Sequence, residues 1–402
     1  MDNLLLTSLI CLIILIVIIY VVYSKESFIS GYGYINFPRK TTCIIPLNEV
    51  SKSTDFNLYS LVSQLKYQII KPKNKLINTN TEKGIISETS SENANVILFP
   101  GLGDYILKQN SKEVWPRNSE NLKDYKYTEI NNNNSGHFNS ITTLLESLNY
   151  KEGSKLNTIL YDFRDFNLDN VFKQFKSLLT KNTVIISYDF GCTMANLCIN
   201  SLESKEKEMI SKFLLICPTI GGIPMAIREY FSYDKYKSFM GLLMSLPNEQ
   251  FYKKPVVIYN SISYNCNNIP TLMNEIDLHG KNQDKYLVCK KYQEMSFKNS
   301  GVDCIIVANG QFNTPVSYNY KNNLNGKPET YLPENNTLAP SSIPQKTLEG
   351  LQDLGDSVVP ISSINKLREL WKDNCNIELI RDKDHFTILK SYELGLIITS
   401  II

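Results

Sequence analysis

The strongest constraint on the fold is a short apolar strand that runs directly into a helix start at residues 183–192. The segment reads Thr-Val-Ile-Ile-Ser-Tyr-Asp-Phe-Gly-Cys, and its apolar half is typical of a buried strand. Ser187 and Gly191 lie two residues before and after Asp189, and both are small, as a tight strand-to-helix turn requires. Aspartate also tolerates positive φ better than most residues other than glycine. The pattern therefore predicts a sharp turn with Asp189 at its tip.

Apolar runs alternate with helical patterns on both sides of this turn. Strands are predicted at 96–99, 157–161, 213–217, 302–307 and 377–380, and helices at 138–148 and 168–179. This alternation indicates a parallel sheet with crossover helices. A mixed helical pattern at about 225–300 predicts an inserted cap or lid, and an Asn-, Pro- and Gly-rich stretch at about 318–346 predicts a long loop. We expect one α/β domain with a mostly parallel sheet over residues 94–402.

The amino terminus carries a predicted membrane anchor. Residues 4–23 are twenty uncharged, mostly apolar residues, long enough to span a bilayer. A cleaved signal peptide is disfavoured because there is no basic start, the apolar stretch is too long, and no small-x-small site precedes Lys25. We expect a single-pass transmembrane helix within residues 1–24, followed by a membrane-proximal region and linker at 25–93.

Composition excludes several other classes of protein. A net charge of +2 argues against a dedicated nucleic-acid binder. The nine cysteines include no C-x-x-C pair, which excludes a zinc ribbon or a thioredoxin-like motif. We therefore expect no nucleic-acid partner, no metal and no cofactor.

Two residues near the carboxyl terminus are candidates for an acid–base pair with the turn at Asp189. The chain has only three histidines, and we interpret His137 and His279 as surface or internally satisfied residues. His385 follows the last predicted strand, and Asp356 follows a glycine in Gly-Asp-Ser-Val-Val-Pro. The chain order of turn, acid and histidine matches that of catalytic triads built on a strand-to-helix elbow.

Six segments in chain order resemble the motifs of one enzyme family: Val96–Gly103, His137–Tyr150, Leu160–Arg164, Ile216–Gly222, Thr314–Tyr320 and Gly355–Val359. The family is that of lecithin:cholesterol acyltransferase, with its phospholipid:diacylglycerol acyltransferase and lysosomal phospholipase relatives. It belongs to the α/β-hydrolase superfamily, so the resemblance implies that fold for residues 94–402.

The resemblance implies a function and roles for individual residues. The family transfers fatty acyl groups from phospholipid through an acyl-serine, so phospholipid or another acyl lipid is the implied partner. Asp189 occupies the nucleophile position, and the backbone N–H groups of Leu102 and Phe190 would form the oxyanion hole. Trp115 lies in the region where the family places a lid that meets lipid, although a packed core tryptophan is an equal alternative.

Aspartate at the nucleophile position leaves three functions open. The chain could be a catalytically inactive relative that binds lipid or serves a structural role at the membrane. It could be an altered ester hydrolase or acyltransferase in which Asp189 and His385 activate water directly. It could also be a hydrolase with an aspartate nucleophile, resembling the dehalogenase and epoxide hydrolase branch of the fold, because a carboxylate can act as a covalent nucleophile.

Overall fold

The structure is a computed structural model that describes most of the predicted α/β domain. The described residues are 94–109, 112–115, 129–132, 136–165, 167–233, 236–276, 281–320, 323–324, 328 and 352–402. The predicted anchor at 1–24, the region at 25–93 and most of the predicted loop at 318–346 lie outside them. Within the described residues, no helix is both long and apolar enough to cross a bilayer.

The described residues form fourteen strands. In chain order these are β1 Asn95–Phe99, β2 Tyr105–Gln109, β3 Lys112–Trp115, β4 Glu129–Asn132, β5 Leu156–Thr158, β6 Thr183–Tyr188, β7 Ile210–Ile216, β8 Val257–Tyr259, β9 Ile262–Tyr264, β10 Cys304–Ala308, β11 Phe312–Pro315, β12 Tyr318–Tyr320, β13 Gln352–Gly355 and β14 Cys375–Leu379.

The same residues form ten α-helices. They are α1 Asn139–Ser147, α2 Leu168–Leu178, α3 Phe190–Asn200, α4 Ser204–Lys207, α5 Met225–Ser232, α6 Met240–Met244, α7 Ile269–Ile276, α8 Lys281–Met295, α9 Ile361–Trp371 and α10 Tyr392–Ile401.

Six parallel strands form the central sheet, in the spatial order β5-β1-β6-β7-β10-β14. This confirms the predicted α/β fold with a mostly parallel sheet. Successive residues of the central strands point to opposite faces, so Ile97 and Phe99 join one buried cluster while Val96 and Leu98 join the other. The first cluster includes α2, α3 and α9, and the second includes α1 and α10. Helices therefore cover both faces, as a sheet of apolar parallel strands requires.

Three small sheets were missed by the sequence patterns. They are β3-β2-β4, β12-β8-β9 and β11-β13. Their strands are only three to five residues long, and several are largely polar, such as Glu-Ile-Asn-Asn in β4. Strand β12 lies at the start of the segment predicted as a long loop, where it pairs with β8. Pairing with a distant strand, rather than local apolar alternation, makes these residues extended.

The segment between β7 and β10 contains α5 to α8 and the β8–β9 hairpin, in the region predicted as a cap. Within this segment, α8 is connected to the end of α6, because the side-chain amide of Gln293 donates to the carbonyl oxygens of Met244 and Leu246 at 2.7 Å each. The start of α6 is connected to the loop after β5, since the Gly241 N–H donates to Phe163 O at 2.8 Å.

The strand order places a topological switch point at the carboxyl ends of β1 and β6. Strand β1 pairs with β5 on one side and with β6 on the other, so the chain reverses its direction of winding between them. In open α/β sheets, ligands bind outside the carboxyl ends of the strands at such a switch point. The loop at 100–104, which follows β1, and Asp189, which follows β6, both lie there.

The close approach of α3 to the end of β1 generates a stability prediction. A Cβ atom added at Gly191 would lie 2.2 Å from Phe99 O and 2.6 Å from Pro100 O. Because both are backbone atoms, at the end of β1 and the start of the loop that follows it, we expect Gly191→Ala to lower the free energy of unfolding by about 2 kcal/mol or more in urea titrations. Gly310→Ala is the control, since its Cβ would meet only the Ile361 side chain, at 3.2 Å. Equal losses in the two variants would contradict the prediction.

Candidate active site

Asp189 lies at the tip of the strand-to-helix turn in a strained backbone conformation. Its φ is 51° and its ψ is −126°, and it immediately precedes the first residue of α3. The turn is held by backbone hydrogen bonds, because the Asp189 N–H donates to Ile216 O at 3.0 Å and the Cys192 N–H donates to Asp189 O at 3.1 Å. Positive φ of this kind at a non-glycine residue is concentrated at functional sites. The structure thus forms the turn that the sequence predicted.

Asp356 and His385 form a buried pair beside this tip. His385 Nδ1 lies 2.9 Å from Asp356 Oδ2, and only 2% of each residue is exposed. Asp356 Oδ1 accepts the backbone N–H groups of Val358 and Val359, at 2.9 and 2.6 Å. Burial raises the pKa of Asp356, but the His385 charge and these hydrogen bonds outweigh it and hold the pKa below its usual range. Asp356 is therefore an anion that orients the imidazole.

The two carboxylate oxygens of Asp189 have different partners. Oδ2 accepts the backbone N–H of Leu102 at 3.1 Å. Oδ1 lies 3.6 Å from His385 Nε2. The N–H that the family resemblance assigns to the oxyanion hole is therefore already bound by the carboxylate of Asp189 itself. An acyl oxyanion would have to displace that carboxylate oxygen from the Leu102 N–H.

His385 lies between two carboxylates and is positively charged. Burial lowers the pKa of its imidazole, but the negative charge of Asp356 and the contact with Asp189 more than compensate. The resulting pKa lies well above the ordinary value of 6.5. The ring also packs on Tyr188 at a centroid distance of 5.1 Å, and the Tyr188 hydroxyl donates to His385 O at 3.1 Å. The histidine is fixed in place on both its ring and its backbone.

Cys217 is a further residue of the site that the sequence analysis did not select. It follows β7 with a φ of 48°, and it is fully buried. Donor atoms of Cys217, Asp356 and His385 all lie within 4.8 Å of one another, and within the described residues this is the one such trio that could bind a metal ion. Burial raises the pKa of the Cys217 thiol far above its usual range, so the thiol is neutral. Cys217 is the last residue of the predicted strand at 213–217, and that position was the available signal.

Asp104 is a second residue that the sequence analysis missed. It lies at the end of the loop after β1, is 6% exposed, and accepts the Phe138 backbone N–H on Oδ1 at 3.0 Å. Burial, reinforced by the negative charge of Asp189, raises its pKa from 3.8 to about 7. Its position directly after Pro-Gly-Leu-Gly, at the carboxyl end of a buried strand, was a signal that could have found it.

The other predicted site residues occupy different surroundings. Phe190 is the first residue of α3, and its side chain is buried. Trp115 lies in β3, opposite Leu107 of β2, and its contact with lipid stays a prediction. His137 is exposed and packs on Phe386 at a centroid distance of 4.8 Å, one residue from His385. His279 lies outside the described residues.

Comparisons with known proteins give similarities of fold only. No protein-family model matches the chain, and no curated protein matches its sequence. Solved structures of esterase- and lipase-type hydrolases do match at low identity. One is the Tle4–Tli4 complex, at 9% identity over 77% of this chain and 98% of that chain, with a TM-score of 0.47.

Two further matches come from named organisms. A structure from work on carboxylesterases of the thaumarchaeon Nitrososphaera gargenis is 8% identical over 76% of this chain and 89% of that chain, with a TM-score of 0.32. A lipase-esterase related protein from Clostridium acetobutylicum is 10% identical over 76% and 93%, with a TM-score of 0.29. With TM-scores below 0.5, these matches assign no activity or substrate to this chain, and they do not confirm the resemblance to the lecithin:cholesterol acyltransferase family.

The position of His385 between two carboxylates predicts its titration. We expect NMR of the three imidazoles to show His385 still protonated well above pH 6.5, and Asp356→Asn to lower its pKa. Because the folded pKa is raised, the associated stability is complete below about pH 6.5 and is lost as pH rises through the folded value. His137 is the internal control, since burial lowers its pKa. A His385 pKa below 6.5 in the native protein would contradict the charge assignment.

The turn also predicts what a serine at its tip would do. In Asp189→Ser, the Leu102 N–H would be released and the hydroxyl would lie near His385, which are the elements of a serine nucleophile site. We expect this variant to be labelled covalently by a fluorophosphonate probe, as followed by mass spectrometry. The native protein and Asp189→Ser/His385→Ala should stay unlabelled. A folded Asp189→Ser variant without label would show that the site cannot support serine chemistry.

Proposed function

We propose that this protein is a hydrolase that uses Asp189 as a covalent nucleophile towards a saturated carbon atom. The observation that carries the proposal is the orientation of the Asp189 carboxylate. Oδ2 is bound by the Leu102 N–H, which leaves Oδ1, beside His385 Nε2, as the oxygen that attacks. Substrate would bind at the switch point, outside the carboxyl ends of β1 and β6.

Acyl transfer by the route of the resembled family is the weaker candidate. Attack of a carboxylate on an ester would form a mixed anhydride, and the carboxylate would leave again more readily than an alkoxide. The Leu102 N–H is occupied by Asp189, and the negative charge of Asp189 would repel a developing oxyanion. Attack on a saturated carbon avoids both problems, because no oxyanion forms in that step.

The first step would form an ester between substrate and protein. Asp189 Oδ1 attacks the carbon, the bond from carbon to the leaving group breaks, and the leaving group departs with the electron pair. Esterification removes the negative charge of Asp189, so His385 loses one of its two carboxylate neighbours. The pKa of His385 then falls, since the contact with the Asp189 carboxylate had raised it. Formation of the ester thereby prepares His385 to release its proton and act as a base.

The second step would hydrolyse the ester. His385 takes a proton from a water molecule whose oxygen attacks the Cγ atom of Asp189. The negative charge that develops on Oδ2 is stabilised by the Leu102 N–H, which already points at that atom. Collapse of the intermediate expels the product alkoxide, which receives a proton from His385. The proton left on the Asp189 carboxyl group then passes to His385, which restores the carboxylate and the imidazolium. Asp356 holds the imidazole and stabilises its charged form.

We further propose that the substrate is apolar and carries an acyl chain, and that the protein acts at a membrane. The support is the resemblance to the lecithin:cholesterol acyltransferase family over residues 94–402 and the apolar run at 4–23. An apolar segment of that length is sufficient to hold a protein at a bilayer.

Detection of the covalent ester on Asp189 tests the proposed function. We expect full-length His385→Gln in detergent micelles to gain the mass of one dodecyl group when incubated with 1-bromododecane, because the ester forms but cannot be hydrolysed. Peptide mapping should place the added mass on Asp189, and His385→Gln/Asp189→Asn should gain nothing. In the native protein, turnover in water labelled with ¹⁸O should put the label into Asp189. No adduct in the folded single variant would instead favour the catalytically inactive, lipid-binding alternative.

A further inference from the structure

We propose that Asp104 is the acid of this site, and that the substrate is an epoxide on an apolar chain, whose leaving oxygen must receive a proton. The inference rests on the proposed role of Asp189 as nucleophile and narrows its substrate class. A halide leaves as a stable anion, whereas the oxygen of an opened epoxide leaves as an alkoxide and needs an acid beside it.

The loop at 100–104 both orients the Asp189 carboxylate and carries the Asp104 carboxyl group. Leu102 donates its N–H to Asp189 Oδ2 at 3.1 Å, and Asp104 lies two residues further along the same loop. The turn is closed by the Asp104 N–H, which donates to Gly101 O at 3.3 Å. The Phe138 N–H, donated to Asp104 Oδ1 at 3.0 Å, fixes the carboxyl group against the start of α1. The loop that orients the nucleophile therefore also holds a carboxyl group within its electrostatic reach.

The charges of the site show why this carboxyl group is the one that carries a proton. Three carboxyl groups lie around one imidazole: Asp356 and the partly exposed Asp189 contact it directly, and the buried Asp104 does not form an ion pair with it. Asp104 has no ion-pair partner among the described residues, so its negative form would lie in a nearly dry site where only the more distant charge of His385 favours it. A buried carboxyl group in that situation favours its neutral form.

The titratable groups around Asp104 do not offset its burial. Asp189 repels its anion, and the charge of His385, which lowers the pKa of Asp104, is outweighed by burial. The phenols of Tyr105, Tyr161 and Tyr188 also face it, and burial raises the pKa of each far above its usual range, so all three are neutral. With its pKa raised to about 7, Asp104 is a carboxylic acid in a large fraction of molecules at neutral pH.

The proposed ring opening balances in atoms and charge. Asp189 Oδ1 attacks an epoxide carbon, the bond from that carbon to the ring oxygen breaks, and the electron pair goes to the oxygen. That oxygen takes the proton of Asp104, which leaves a hydroxyl group, the Asp189 ester and an Asp104 carboxylate. His385 no longer faces a charged Asp189, so its proton can return Asp104 to the neutral form. Hydrolysis of the ester by water then yields a diol and restores Asp189.

The experiment compares two electrophiles of equal chain length. Full-length His385→Gln, with and without Asp104→Asn, is incubated with 1,2-epoxydodecane or 1-bromododecane, and the rate of ester formation on Asp189 is followed by intact mass. Asparagine keeps an oxygen that can accept the Phe138 N–H but has no proton to give. We expect Asp104→Asn to slow the epoxide reaction about 100-fold or more. The bromide reaction should slow less than about 10-fold, because bromide leaves without a proton. Asp169→Asn, on the exposed side of α2, is the control.

Each other outcome would overturn the proposal. Equal slowing of both reactions would assign Asp104 a structural role, and no slowing of the epoxide reaction would exclude it as the acid. If neither probe reacts while Asp104 is present, the nucleophilic role of Asp189 fails, and this proposal fails with it. The pH dependence is a second readout. The pKa of Asp104 is higher in His385→Gln than the value of about 7 in the native protein, because the His385 charge that lowers it is gone. The epoxide rate should fall as pH rises through that pKa, and this fall should disappear when Asp104→Asn is added. A fall that persists in the variant would identify another group as the acid.

Discussion

The carboxylate of Asp189 is held between one backbone N–H and one imidazole, and the chemistry of the site depends on that placement. The Leu102 N–H and His385 Nε2 approach different oxygens, so one oxygen is bound and the other is directed at the base. This geometry requires two loops to meet without intervening side chains. A Cβ atom at Gly101 would lie 2.8 Å from Asp189 Cβ, and one at Gly191 would meet the backbone of β1. The glycines therefore allow the contact that orients the carboxylate.

Buried charge is the second constraint, because each unpaired ion in such a site is costly. Asp356 is stabilised by two backbone N–H groups and by His385, and His385 is stabilised by two carboxylates. Asp104 lacks such a partner among the described residues, and burial raises its pKa. The cluster thus contains two anions, one cation and one weak acid. A covalent bond to Asp189 removes one of the anions, so the reaction of the nucleophile itself would change the basicity of His385.

Much of the fold could be predicted from the sequence, because long apolar strands and amphipathic helices have local signatures. Residue patterns within a single helix or strand predict the helix at 168–178 and the strand at 183–188. The alternation of such elements predicts the parallel sheet. Strands such as β4 and β12 have no such signature, and their extended backbone depends on partners elsewhere in the chain. The predicted membrane anchor at 1–24 lies outside the described residues and stays a prediction.

The sequence by itself determined the chain order of Asp189, Asp356 and His385. It also determined that small residues lie two positions before and after Asp189. Because parallel strands end at one edge of a sheet, that order was enough to expect Asp189, Asp356 and His385 near one another. Only the tertiary structure decided which oxygen of Asp189 meets which partner, and only it brought Asp104 to the same site. The reason is that hydrogen-bond geometry and desolvation depend on distances of a few ångströms between residues far apart in the chain, such as Leu102 and Asp189, which are 87 positions apart. Such distances are set by packing, and no local pattern records them.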